Sequence, residues 1–187
     1  SNPKFSVQIA TTSAGLGPYS IFVSGRYAYI ANTDDNISVV DISNPLAPIR
    51  IANVAVGTAP RSIFVSGRYA YMANQDGNSI SVVDISNPLA PVQIANVSVG
   101  GLEPQSIYVS GRYAYTANAG SNDISVIDIS NPSIPISVST LSVGTSPYSI
   151  FVSGRYAYVA NNGSDSISVV DISSSTAPAQ ITTAAVG

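Results

Sequence analysis

The chain copies itself, and that constrains its fold before any single residue does. Ser-Ile-Phe-Val-Ser-Gly-Arg-Tyr-Ala-Tyr occupies residues 20–29, 62–71 and 149–158, and returns at 106–115 with Tyr108 in place of Phe. A second string, Ile-Ser-Val-Val-Asp-Ile-Ser, follows each time from Ile37, Ile80, Ile124 (where Ile127 replaces the second Val) and Ile167. Its aspartates, Asp41, Asp84, Asp128 and Asp171, stand 43, 44 and 43 residues apart. A period of this length is one supersecondary unit, and such units bury their apolar faces on one another. The repeats divide the chain into residues 17–57, 58–100, 101–144 and 145–187, after a leading stretch 1–16. That stretch is part of a repeat too: Ser1-Asn2-Pro3 and Val7-Gln8-Ile9-Ala10 match Ser86-Asn87-Pro88 and Val92-Gln93-Ile94-Ala95.

Within the second repeat, residues 62–65 read as a strand ending at Ser66-Gly67, a hairpin signal. Residues 68–73 alternate Tyr69 and Tyr71 against Ala70 and Met72. The turn cluster 74–78 follows, then the Val/Ile-rich run 80–85, apolar enough for burial on both faces. A two-proline turn at 86–91 leads to a fourth strand, 92–99. No window has helical periodicity. The expectation is an all-β chain of four four-stranded antiparallel blades, a β-propeller. The pattern resembles the LVIVD and YVTN propeller repeats. Pro60, Gly67, residues 69–74, residues 80–84 and the exit Asp84-Ile85-Ser86-Asn87-Pro88 carry the resemblance, with their counterparts in the other repeats. It covers the whole chain, and it implies a protein of the bacterial or archaeal cell surface, of S-layer-associated type.

Composition narrows the chemistry. The 187 residues include no Cys, His or Trp, and 9% are charged, with a net charge of −3. A zinc site of the usual nitrogen and sulfur type, a thiol nucleophile and a histidine base are all unavailable. Seven basic residues leave no nucleic-acid footprint, and no apolar run is long enough to span a membrane. From this shortage the expectation is a chain that is not an enzyme and needs no cofactor.

Eight of the charges are fixed in the repeat: Arg26, Arg68, Arg112 and Arg155, with Asp41, Asp84, Asp128 and Asp171. Recurrence in every blade favours a structural pair between strand ends over a ring of charge around a ligand. The paired tyrosines, such as Tyr27 and Tyr29, read as packing between blades beside small alanines, with a sugar-binding platform as the weaker alternative. The loops between second and third strands diverge, and Asp34, Asp35, Asp76, Asp123 and Asp165 are their candidate Ca²⁺ ligands, although no loop matches a calcium-binding pattern. Asn36, Asn96 and Asn162 head Asn-x-Ser sequons and are candidate glycosylation sites.

Residues 5–10 read as a surplus fourth strand with no first three. Three explanations stand: an excerpt of a longer array, two copies in an eight-bladed ring, or a strand that pairs with a neighbouring copy. The expected function is an extracellular scaffold or adhesion module that self-associates through terminal strands and edge blades into an oligomer or filament. Its partners would be other copies of itself, and a glycan or cell-surface protein at the divergent loops. The alternative is a ligand-binding or hydrolytic propeller using loop Asp and Asn residues with Ca²⁺.

Overall fold

The computed structural model describes residues 7–186. Among the described residues sixteen strands form four separate antiparallel sheets, each a meander of four consecutive strands. Blade 1 holds β1 (Pro18–Ser24), β2 (Tyr27–Asn32), β3 (Asn36–Asp41) and β4 (Ile49–Ala55). Blade 2 holds β5 (Pro60–Ser66), β6 (Tyr69–Asn74), β7 (Ser79–Asp84) and β8 (Val92–Ser98). Blade 3 holds β9 (Pro104–Ser110), β10 (Tyr113–Asn118), β11 (Asp123–Asp128) and β12 (Ile136–Ser142). Blade 4 holds β13 (Pro147–Ser153), β14 (Tyr156–Asn161), β15 (Ser166–Asp171) and β16 (Ala179–Ala185). The described residues contain no α-helix, only one 3₁₀ turn at Asn162–Ser164.

The first hairpin of each blade turns one residue later than the Ser-Gly signal implies. Ser24 pairs with Tyr27, so Gly25 and Arg26 form the two-residue loop. Gly25 sits at φ +58°, and Gly67, Gly111 and Gly154 match it within two degrees. A glycine at the first loop position with a positive φ is what a tight hairpin of this hand requires.

The core lies between blades rather than at one centre. One face of blade 1, with Tyr29, Ala31, Ile37 and Val39, packs on the opposite face of blade 2, with Ile63, Val65, Ala70, Met72 and Val83. The same two faces meet between blades 2 and 3 and between blades 3 and 4. Phe22, Phe64, Tyr108 and Phe151 run through these joints as a continuous ladder of tilted and edge-on rings, with centroids 5.0, 4.8 and 4.8 Å apart. The small alanines Ala70, Ala114 and Ala157 are fully buried, which lets the preceding blade approach. First strands of successive blades lie against one another while fourth strands scarcely touch. The blades therefore fan outward from an inner edge made of β1, β5, β9 and β13.

A buried asparagine fixes each blade's entry. Asn74 donates from its carboxamide to the hydroxyls of Ser79 and Ser81, both at 3.0 Å. The linker from the previous blade passes over it at Gly57, where a Cβ would stand 2.4 Å from the Asn74 nitrogen. Gly101 over Asn118 and Gly144 over Asn161 repeat the contact.

The expected surplus strand takes no part in a sheet over its described residues, Val7–Ala10; Phe5 and Ser6 lie outside the described residues. A lone fourth strand has no ladder to join, because each blade already owns its outer strand. Further along this segment, Ala14 packs on Ala28, Ile30 and Val40 of blade 1.

Candidate functional site

Where near-identical repeats depart from one another, the shared fold no longer dictates the residue. In the first strands one position varies most: Tyr19, Arg61, Gln105 and Tyr148, three residue types over four blades, each just after a proline. The strand register shifts at that point in all four blades, so that Pro60 faces Asn74, Ser62 faces Ala73, and Arg61 is left over. Each variable residue is thus the extra residue of a β-bulge, and a bulge re-aims its side chain out of the ladder. Because these strands form the inner edge of the fan, the four side chains collect on its concave side.

They meet there. The hydroxyls of Tyr19 in blade 1 and Tyr148 in blade 4 are hydrogen-bonded at 2.9 Å, spanning the whole arc. The Arg61 guanidinium stacks 4.3 Å over the Tyr19 ring, held by its Nε donating to Gln75 at 2.5 Å. The Tyr148 phenol is raised above its ordinary pKa, first by the hydrogen bond to Tyr19 and then by burial. Two half-exposed phenols, a guanidinium with donors to spare and the Gln75 carboxamide make a surface suited to hydrogen-bonding a polar ligand. Sequence reasoning passed over this cluster because the bulge is invisible in the alternation. The signal was there in the most variable position of a strand whose other change is Phe to Tyr at Tyr108.

The repeat-locked charges lie elsewhere, at the hairpin ends. Each arginine, Arg26, Arg68, Arg112 and Arg155, donates to its aspartate, Asp41, Asp84, Asp128 and Asp171. Each aspartate also accepts the backbone N–H two residues on, as Asp84 does from Ser86 at 2.9 Å. The guanidinium carbon stands 5.1–5.3 Å from the neighbouring ring of Tyr27, Tyr69, Tyr113 or Tyr156. The hydrogen bond from arginine, ahead of the serine bonds, brings Asp41, Asp84 and Asp128 down to about 2. Asp171 is lowered as well, chiefly by Ser173.

The loop carboxylates are dispersed among structural bonds. Asp35 accepts the backbone N–H of Ala59 in the next blade at 2.8 Å, and Asp123 accepts from the Asn118 carboxamide at 2.6 Å. Asn78 and Asn122 hold the place of Asp35 in blades 2 and 3 and bond Glu103 and Ser146 of the next blade in the same way, both at 2.7 Å. Asp34, Asp76 and Asp165 are exposed. Among the described residues no three acidic side chains gather where a metal ion could sit. Of the sequon asparagines, Asn96 and Asn162 are exposed, while the Asn36 side chain is bonded to Asn32 and to the Asp34 carbonyl.

The LVIVD repeat model matches four times, at residues 19–56, 57–99, 103–142 and 146–184. The chain belongs to the LVIVD repeat family. None of the curated proteins matches it. Solved propellers do. Hydrazine synthase of Kuenenia stuttgartiensis is 26% identical with a TM-score of 0.71, over 95% of this chain and 53% of that one. The periplasmic gluconolactonase PpgL of Pseudomonas aeruginosa is 22% identical with a TM-score of 0.78, over 91% of this chain and 54% of that one. A Bacteroides fragilis protein provisionally named a 6-phosphogluconolactonase is 16% identical with a TM-score of 0.79, over 93% and 59%. The LVIVD chain therefore spans between half and three-fifths of these neighbours.

These likenesses correct one expectation. The reading that the chain is not an enzyme is overturned, because its neighbours include proteins named as lactone hydrolases. Lacking His and Cys removes some chemistries but not those of carboxylate, phenol and guanidinium, and a propeller carries its reactive groups on grafted loops. At 16–22% identity the likeness conveys the fold, and no catalytic residue passes to this chain.

Proposed function

We propose that this LVIVD chain is a propeller scaffold or adhesion module of the cell exterior that self-associates through its edge blades into an oligomer or filament. One observation carries the reading: the arc ends in two exposed apolar faces, and each is a copy of a face buried inside the molecule. Ile21 and Val23 on blade 1 are 63% and 54% exposed, whereas their counterparts Ile63 and Val65 are 5% and 6%. On blade 4 Tyr158 is 41% exposed, whereas its counterparts Tyr29, Tyr71 and Tyr115 are 3%, and Phe151 is 57% exposed, whereas its counterparts Phe22, Phe64 and Tyr108 are half-buried. Faces of this kind, on a chain with little charge to keep copies apart, favour association.

The concave cluster of Tyr19, Arg61 and Tyr148 is the surface such an assembly would present to a glycan or a surface protein. Its phenols and guanidinium supply aromatic faces and donors for sugar hydroxyls. An exterior setting is supported by the exposed sequons at Asn96 and Asn162. Sedimentation velocity over a concentration series tests the association. Species heavier than the 19.2 kDa chain should grow with concentration. A single monomer throughout the series would sink the proposal.

A further inference from the structure

Resting on that self-association, we infer that the partner is a second copy joined head-to-tail, so that blade 4 of each copy receives blade 1 of the other and two arcs close one eight-bladed ring. The three internal joints are the template. At each, an aromatic ring of the leading blade stacks on the next, Phe22 on Phe64, Phe64 on Tyr108 and Tyr108 on Phe151. A fourth joint would set Phe151 against Phe22 of the other copy, and Tyr158 and Ile167 against its Ile21 and Val23. All but Phe22 are exposed large apolar side chains in the single chain.

Polar partners repeat as faithfully. Ser20, Ser62 and Ser106 accept the backbone N–H of Ile63, Ile107 and Ile150 in the following blade, at 3.3, 3.2 and 3.3 Å. The fourth serine of the series is Ser149, and the fourth amide is that of Ile21. Asp35, Asn78 and Asn122 accept from Ala59, Glu103 and Ser146, at 2.8, 2.7 and 2.7 Å. The fourth acceptor is Asp165, already left-handed at φ +45° like Asp35 at +60°, Asn78 at +48° and Asn122 at +58°. Its donor would be the amide of Gly17. Among the described residues neither Ser149 nor the Asp165 carboxylate has a side-chain hydrogen bond in the single chain.

Two grooves mark the places. One of about 530 Å³ on blade 4 is lined by Ser149, Asp165, Ile167 and Val186 among others, and one of about 250 Å³ on blade 1 by Ala14, Tyr19, Ile21 and Ile30. A face built to the internal template selects another blade of the same repeat, and a second copy supplies one at each end. The joint is heterologous, so it must either close or run on as a filament. Closure is favoured because a closed ring buries both end faces of every copy, whereas a filament always leaves two uncovered. Closure also has a consequence at the blade 1 edge. Val56, Val99 and Val143 fill the internal joints from the preceding blade, and Ala14 lies at the matching place on blade 1. The partner's Val186 would arrive there, so the segment carrying Ala14 gives way.

The test uses Val23→Glu and Phe151→Glu, both at exposed side chains, with the circular dichroism spectrum confirming that each variant folds. Light scattering on the wild-type chain should give a two-copy particle that does not grow further with concentration. Each variant alone should be monomeric at the concentration where the wild type is paired, because both joints of its ring are charged. Mixed in equal amounts, the variants retain one intact joint and should form a weaker two-copy particle. Wild-type mass that keeps growing beyond two copies would overturn the ring while leaving self-association standing. A monomeric wild type would overturn both. Variants that stay paired, or a mixture no heavier than its components at the highest concentration, would overturn the head-to-tail joint.

Discussion

Asp84 shows how the sparse charge of this chain is used. Its carboxylate accepts from Arg68 and from the Ser86 amide, and the two bonds hold it at about 2, against 3.8 for an unhindered aspartate. A carboxyl depressed in the folded state supplies stability above its unfolded value and loses it as pH falls toward the folded one. With Asp41 and Asp128 in the same condition, the melting temperature should hold steady above pH 5 and fall between about pH 4 and pH 2. Asp84→Asn should melt lower at neutral pH and lose less on acidification, both readable by calorimetry. Thr116 is the opposite case. Its hydroxyl is fully buried and has no partner, at the place where the other blades carry Ile30, Met72 and Val159. Thr116→Val keeps the shape and removes an unsatisfied group, so it should stabilise the fold by about 1 kcal/mol in denaturant unfolding. The arginine–aspartate pairs follow from strand order alone, because in an antiparallel meander the start of the second strand lies beside the end of the third, as Tyr69 lies opposite Asp84. The bulged Tyr19, Arg61, Gln105 and Tyr148 were not legible in the sequence. This bulge lies at the first residues of the strand, ahead of the alternation that Ile63 and Val65 carry, so the apolar pattern does not register it.

Among the elements, strands and their order followed from periodicity, since an alternating or continuous apolar run between turn residues has few other solutions. The turn position did not. Ser66-Gly67 resembled the hairpin loop, but Ser66 still pairs with Tyr69, and glycine alone takes the positive φ. The linkers carry a constraint of their own. At Gly57 an added Cβ would collide with the Asn74 carboxamide, whose nitrogen is already committed to two serines and cannot withdraw freely. Gly57→Ala should therefore cost about 1–3 kcal/mol in denaturant unfolding. An alanine at Gly25, where nothing stands within 4 Å, bears only the backbone strain of its φ. The leading segment was read as a strand from its sequence match alone. Strand formation needs a partner edge as well as a suitable sequence, and Val7–Ala10 has none.

Across the whole molecule, the repeat that made the fold legible also fixes what its ends must want. A blade with the same two faces as its neighbours is satisfied only between neighbours, and blades 1 and 4 each lack one. The two-copy ring depends on the fourth joint, between blade 4 of one copy and blade 1 of the other. Class averages from negative-stain electron microscopy of the wild-type protein test it most directly. Closed rings of eight blades are predicted; isolated arcs of four, under conditions where the fold is intact, would contradict it.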